Sequence, residues 1–235
     1  KRLISEIQKS LVSKPDKIPS RSIEKLLGKM QGADRLHDLL VATKFSLEHN
    51  QGQTALLFSA IALTTFPDNS DCWATFGYII QIIAPSPAVW TVLENYLKKT
   101  QDPNLLIEFR HSFRLANKQD LVQFLPTNVV ESNPILITFQ VNVAQKESMD
   151  LATKLLEKGK KKLDSSSFPA PIEGDFLYCY GEHLLSLGRH TEVVELLRPF
   201  ITEQKKIGLI PEDQQKPLRA VLSSAQSRLG DHLDA

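Results

Sequence analysis

This 235-residue chain has only two cysteines, no glycine-rich phosphate loop and no large excess of charge of one sign. Each of these three properties argues against a class of protein. The two cysteines, Cys72 and Cys179, lie far apart and neither belongs to a CxxC motif, so neither a disulfide framework nor a zinc site is indicated. Both are interpreted as small buried hydrophobic residues. Gly28-Lys29 lacks the preceding glycine and the following Ser or Thr of a phosphate loop, and no nucleotide cofactor is expected.

The charges nearly cancel, with 28 Lys and Arg against 27 Asp and Glu and a formal net charge of +1. Capture of nucleic acid or of an anionic membrane needs many unpaired basic residues on one face, so a nucleic-acid partner is not expected. The six histidines form neither an HExxH motif nor a pair spaced four apart, which argues against a metal site. No G-x-S-x-G motif or other nucleophile with its base is present. The sequence therefore predicts a protein that is not an enzyme.

One uncharged run, Cys72 to Leu93, reaches 22 residues and could in principle cross a bilayer. Pro85-Ser86-Pro87 interrupts it, and Gln81 is polar, so two core helices joined by a short turn explain it better. No membrane insertion and a cytoplasmic location are expected. The chain begins at Lys1-Arg2 in a helical pattern without an initiator Met, which favours a piece of a longer protein.

The sequence does contain a recurring helix-turn-helix spacing. A helix from Ala55 ends at Pro67-Asp68-Asn69, and the next helix begins shortly before Trp73. Ala55 and Ala62 lie where small side chains let paired helices approach closely. Two sets of residues are related by a spacing of 34: Leu39, Ala42, Thr43 and Ser46, followed by Trp73, Phe76, Gly77 and Ile80. This spacing resembles the tetratricopeptide repeat, a pair of antiparallel helices that stacks on its neighbours.

A second match lies towards the end of the chain. Leu177, Tyr180, Gly181 and Leu184 resemble a first repeat helix, and Leu187-Gly188-Arg189-His190 resembles the turn that follows it. Leu229-Gly230-Asp231 resembles the same turn again. Because the chain stops inside that unit, the natural protein is expected to continue.

The resemblance implies an all-α fold: a right-handed superhelical solenoid of antiparallel helix pairs, about five or six in number. Residues 1–35 are predicted to be atypical capping helices and residues 36–235 the repeat domain. Within that domain, the predicted pairs cover 36–69, 70–102, a weak unit at 103–125, and a pair from Pro134 that closes near Gly159. The weak unit begins with the helix-start signature Asp102-Pro103-Asn104, and it has an apolar face of Leu106, Phe109 and Phe113 and a turn at 116–118. Loops are predicted over 164–174 and 208–217.

In this family the first helices line a concave surface that binds partners. Transfer of the repeat register places seven residues there: Lys44, Tyr78, Gln81, Ile137, Val141, Tyr178 and Glu182. Proteins of this kind that hold chaperone tails use paired Lys and Asn at these places, and only Lys44 fits, which argues against such a co-chaperone.

The leading hypothesis is an adaptor that binds a protein or peptide segment in the groove. One alternative is the non-catalytic, substrate-selecting arm of a larger enzyme such as a glycosyltransferase. Another is a module that self-associates through repeat ends.

Two local predictions complete the sequence analysis. Trp73 is expected to be buried between two repeats, and Gly77 to lie where the two helices of its own pair cross. Lysine clusters at 98–99, 158–162 and 205–206 follow the ends of predicted second helices, where they complement the helix dipole or form a basic rim for an acidic partner.

Overall fold

The computed structural model describes residues 35–233, with the side chains of 204, 205 and 231–233 left aside. Every regular element in this range is helical, as the repeat spacing predicts. The predicted capping helices of residues 1–35 lie almost wholly outside the described residues. The α-helices are α1 (Arg35–Glu48), α2 (Gly52–Thr65), α3 (Ser70–Ile82), α4 (Pro87–Thr100), α5 (Asn104–Glu108), α6 (Arg110–Leu115), α7 (Thr127–Val130), α8 (Pro134–Ala144), α9 (Met149–Ser165), α10 (Ala170–Ser186), α11 (His190–Thr202), α12 (Gln204–Ile207) and α13 (Glu212–Leu233).

The helices form two compact units that divide after Phe124. In the first unit, α2 packs against α1, α3 and α4. Its residues 55–63 are all buried, because this helix is apolar on every side and is surrounded by neighbours. The predicted pair 36–69 is confirmed, since α1 packs on α2, whereas both helices of the predicted pair 70–102 are present but pack mainly on α2.

The turn between α2 and α3 is fixed by the Asn69 side chain, whose Oδ1 accepts the backbone N–H groups of Asp71 and Cys72 at 3.0 and 3.2 Å. The apolar run beyond it divides into α3 and α4, with Pro87 in the first turn of α4, which confirms the two-helix interpretation. No helix in the described part of the chain has the length and apolar character needed to span a bilayer.

The weak predicted unit over 103–125 is present, but in fragments. Helices α5 and α6 are separated at Phe109, and a 3-10 helix follows over Gln119–Phe124. The predicted turn at 116–118 is confirmed, with Asn117 in the left-handed region at a φ of 53°. Leu106, Phe109 and Phe113 are buried, so the predicted apolar face exists despite the break.

In the second unit, α8 pairs with α9 and α10 with α11, while α13 packs against both α10 and α11. Gly181 on α10 lies at that junction: a Cβ there would meet Val221 of α13 at 3.0 Å and Leu197 of α11 at 3.1 Å. Gly188, with a φ of 71°, makes the predicted turn before α11.

Four boundary predictions in the second unit are wrong. Helix α9 does not end near Gly159 but continues to Ser165, because this glycine makes room for the buried ring of Phe176 instead of ending the helix. The loops predicted over 164–174 and 208–217 are shorter, since α10 begins at Ala170 and α13 at Glu212. The predicted turn at 229–231 is helical, and α13 runs through it to Leu233.

Candidate functional site

An open cleft of about 760 Å³ lies in the first unit beside the turn between α2 and α3. This volume falls within the range of small-molecule and side-chain pockets. The cleft is bounded by that turn, by the start of α3, by the end of α4 and by α5. Its lining residues are Pro67, Asp68, Ser70, Trp73, Ala74, Tyr96, Thr100, Asp102, Asn104, Glu108 and Phe109.

One wall of the cleft is aromatic. The indole of Trp73 stacks on the ring of Phe109, with centroids 5.5 Å apart and planes inclined by 17°. Its Nε1–H donates to the carbonyl oxygen of Pro67 at 2.6 Å, which fixes the indole against the turn. A Cβ at Gly77 would lie 3.2 Å from the Phe109 ring, so this glycine leaves the space that the ring occupies.

That geometry corrects both local predictions about this helix. Trp73 is half-buried as part of the cleft wall, not enclosed in a repeat interface. Gly77 faces Phe109, which lies between α5 and α6, and no atom of its own pair partner α4 is among its near neighbours. The reason is that the broken helix after α4 places a ring where a regular repeat would place a close helix crossing.

The lining of the cleft also includes an ordered carboxylate. Asp102 accepts the phenol O–H of Tyr96 at 2.9 Å and the backbone N–H of Asn104 at 3.0 Å. Burial and the hydrogen bond to Asp102 raise the pKa of Tyr96 to about 12. Tyr96 therefore stays a neutral donor at physiological pH and holds the carboxylate in one orientation.

The described lining of the cleft is acidic. Asp68, Asp102 and Glu108 belong to it, and none of the lining residues within 35–233 is Lys, Arg or His. Within residues 35–233, no three His, Cys, Asp or Glu side chains come close enough together to hold a metal ion. The three carboxylates are thus distributed along the cleft instead of converging on one point.

An exposed ridge on α3 continues from the cleft. Ser70 and Ala74 line the cleft, and Tyr78 and Ile82 follow at steps of four residues, which places all four along one side of the helix. Tyr78 is 64% exposed and Ile82 65% exposed. We call these four residues the α3 ridge; the exposed side chain of Gln81 borders it.

The seven residues predicted from the repeat register do not share one environment. Tyr78 belongs to the α3 ridge and Gln81 borders it, while Lys44 is exposed on α1. Glu182 is exposed on α10, and Tyr178 is half-buried against the core of the second unit.

The predicted placement of Ile137 and Val141 on a partner-binding surface is wrong. They are 1% and 0% exposed and belong to the core of the second unit, where they cannot contact a partner. The register failed here because nearly every side of α8 is apolar and packed, so the sequence does not distinguish an outward from an inward face.

Four lysines of the three clusters pair with carboxylates of their own unit. Lys98 pairs with Glu94 at 2.6 Å, Lys158 with Glu131 at 2.5 Å, and Lys206 with Glu173 at 3.2 Å. Lys160 pairs with Asp164 one turn away. These contacts favour the helix-end interpretation over a basic rim.

Sequence reasoning identified part of the cleft without recognising it. It placed Trp73 and Asp68 at a repeat joint, Asp102 at a helix start, and Phe109 on an apolar face. What it missed is their convergence, which depends on the break between α5 and α6. A sequence signal for that break exists only in the poor match of residues 103–125 to the repeat.

Comparisons of the chain with protein-family models, with curated proteins and with solved structures find no match. The resemblance to tetratricopeptide repeats consequently stands on the residues and spacings given above.

Proposed function

We propose that this chain is a protein-interaction scaffold that binds a peptide segment of a partner along the cleft and the α3 ridge. The observation that supports it best is the continuity of the two features. The ridge presents two large exposed side chains, Tyr78 and Ile82, on the same side of the helix as the cleft-lining Ser70 and Ala74.

The proposed architecture is a right-handed solenoid of tetratricopeptide-like helix pairs. Two features support it: helices that pack on their neighbours in sequence order, and the close approach of α10, α11 and α13 around Gly181. In such a scaffold the groove is formed in advance, so little conformational entropy is lost when a peptide binds.

The proposed mode of binding assigns different roles to the two features. Tyr78 and Ile82 supply apolar contact area, and the tyrosine adds a hydrogen-bonding group at low entropy cost. The cleft takes one anchoring side chain of the peptide in a fixed polar and aromatic setting. Anchors of this kind carry most of the binding energy in protein interfaces.

The test is selection from a displayed random peptide library on the wild-type chain, followed by binding to the double variant Tyr78→Ala, Ile82→Ala. We expect selected peptides to lose about tenfold or more of their affinity, because truncation of an interface anchor costs over 1 kcal/mol. Leu115→Ala is the matched control, since Leu115 is 87% exposed in the same unit but does not line the cleft. Equal binding by the ridge variant and the control would contradict the proposal.

The enzyme-arm and self-association hypotheses remain predictions. The full-length reading frame tests the first, and light scattering over a range of concentrations tests the second.

A further inference from the structure

We infer that the anchoring side chain is cationic: the cleft binds a Lys or Arg side chain of the partner segment, held between the carboxylates and the aromatic wall. This inference rests on the proposed peptide-binding function and names the chemistry of its ligand.

The first argument is charge. Asp68, Asp102 and Glu108 give the cleft a negative field, and no side chain of its described lining is basic. Like charges that share a cavity repel one another, and a bound cation relieves that repulsion. An acidic or phosphorylated segment would meet the opposite effect and be excluded.

The second argument is the aromatic wall. Trp73 presents the ring type that attracts cations most strongly, through the negative potential on its face. The hydrogen bond of its Nε1–H to Pro67 and its stacking on Phe109 hold the indole in place in the cleft that the carboxylates also line. A fixed aromatic ring next to acidic groups is the arrangement that protein pockets use for ammonium and guanidinium groups.

The third argument is that Asp102 is ordered in advance while remaining charged. Both of its recorded donors, the Tyr96 phenol and the Asn104 amide, are neutral groups. They orient the carboxylate but do not neutralise it, so its charge stays available to a ligand.

A metal ion is the competing cationic ligand, and the geometry disfavours it. No cluster of three or more potential ligand residues exists in the described part of the chain, so the three carboxylates do not form a coordination shell. A long side chain that crosses the cleft can instead approach the carboxylates and the ring at separate points along its length.

The probe is a short fluorescent Gly/Ser peptide that carries several lysines and one leucine, compared with the same peptide after acetylation of every lysine. The binding variant is Asp68→Asn, Asp102→Asn, Glu108→Gln, which keeps side-chain shape and removes three charges. The control variant is Asp38→Asn, Glu48→Gln, Asp120→Asn, which removes three exposed charges of the same unit outside the cleft. Circular dichroism establishes that each variant is folded.

We expect the lysine peptide to bind the wild-type chain and the control variant equally, and to bind the cleft variant at least about tenfold more weakly. Binding should weaken as salt is added, and acetylation should reduce it to a similar extent. Non-specific attraction of a cationic peptide does not explain such a result, because the chain has a formal net charge of +1.

Two results would overturn the inference and leave the scaffold in place: equal binding of the lysine and acetylated peptides with loss in the Tyr78→Ala, Ile82→Ala variant, or equal binding by the cleft and control variants. Failure of both these peptides and the selected library peptides to bind would overturn the proposed function itself. Tight binding of Ca²⁺ or Mg²⁺ alone, abolished in the cleft variant, would assign the cleft to a metal and also contradict the inference.

Discussion

Two glycines at corresponding places in the repeat motif, Gly77 and Gly181, lie in contrasting surroundings. In the second unit, Gly181 lies between Leu197 and Val221 on two different helices, both within 3.1 Å of where a Cβ would be. In the first unit, the only side chain among residues 35–124 within 4 Å of a Cβ at Gly77 is the ring of Phe109. The same local sequence thus supports a closed helix junction in one unit and the wall of an open cleft in the other.

The cause of the difference lies in the following helices and not in the motif. In the second unit the short α12 is followed by α13, which is long and packs on both α10 and α11. In the first unit the next helices, α5 and α6, are short and broken at Phe109. A motif can specify where a helix has a small residue. The helices that follow in the chain decide whether the space beside that residue is filled by packed helices or by a single side chain.

The largest expected effect compares Phe176→Ala with Trp73→Ala. Phe176 is fully buried in the second unit, so its truncation should cost about 3–5 kcal/mol of unfolding free energy through a cavity. Trp73 already contacts solvent in the cleft, and its truncation should cost about 2 kcal/mol. Urea unfolding followed by far-UV circular dichroism measures both, and equal losses would show that Trp73 is a core residue and not a cleft wall.

The next effect compares Gly181→Leu with Gly77→Leu. At Gly181 the added side chain must displace two buried neighbours, and overpacking should cost roughly 1–3 kcal/mol. At Gly77 it meets one ring beside an open cleft, and a helix-propensity gain of about 1 kcal/mol should offset most of the strain. Thermal melts of the two variants give the order, and greater destabilisation by Gly77→Leu would mean that the cleft is closed in solution.

A smaller effect is confined to the second unit and depends on pH. His183 is 1% exposed; its Nδ1 is 3.0 Å from the amide nitrogen of Gln145 and its Nε2 is 2.7 Å from the hydroxyl of Thr153. Because that hydroxyl already donates to the Met149 carbonyl, we assign the proton of the neutral ring to Nε2. Burial, with a smaller contribution from Arg189, lowers the pKa of His183.

The lowered pKa gives the pH effect a definite sign. Below the unfolded-state pKa of about 6.5, His183 is protonated in the unfolded chain but stays neutral in the folded chain until the pH reaches its lower folded-state pKa. The free energy of unfolding therefore decreases as pH falls through this range. The slope from this one group cannot exceed about 1.4 kcal/mol per pH unit.

Urea unfolding between about pH 7.5 and 5.5, the range in which an ordinary histidine titrates, should show this loss in the wild type. It should be absent in His183→Gln, whose amide can replace part of the hydrogen bonding. Both tryptophans, Trp73 and Trp90, belong to the first unit, so their fluorescence does not follow the unfolding of the unit that contains His183. The unfolding is therefore followed by far-UV circular dichroism. A pH slope that survives in His183→Gln would remove this histidine as its source.

The sequence predicted the helices better than the site because helices depend on local signals. Asn69, Pro87 and Pro134 begin helices where capping and proline rules predict, since these rules involve only neighbouring residues. Gly159 and Gly230 gave wrong predictions because the role of a glycine depends on its distant neighbours. Each was predicted to lie at a helix end or turn, yet Gly159 makes room for Phe176 and Gly230 lies inside α13.

The cleft could not be predicted because its members come from separate elements. Trp73 meets Phe109 across 36 residues of sequence, and no local pattern connects them. The repeat register placed Tyr78 and Gln81 at positions of α3 that are exposed, while Ile137 and Val141 were misplaced because α8 has no polar side to reveal its orientation.

The smallest expected effect concerns the hydroxyl that orients Asp102. Tyr96→Phe removes the O–H donor and leaves the backbone N–H of Asn104 as the recorded partner of that carboxylate. The ring still fills its place beside α5, so unfolding free energy should fall by only about 1 kcal/mol, the usual net value of one hydrogen bond.

Because the carboxylate keeps its charge but gains rotational freedom, the lysine peptide should still bind to Tyr96→Phe, though several-fold more weakly, in keeping with a net hydrogen-bond value of about 1 kcal/mol. Urea unfolding followed by tryptophan fluorescence measures the first quantity, and peptide titration the second. A Tyr96→Phe variant that binds the lysine peptide as tightly as the wild type would show that the order of Asp102 does not matter, and the contrast between a preorganised cleft and a plain acidic surface would be lost.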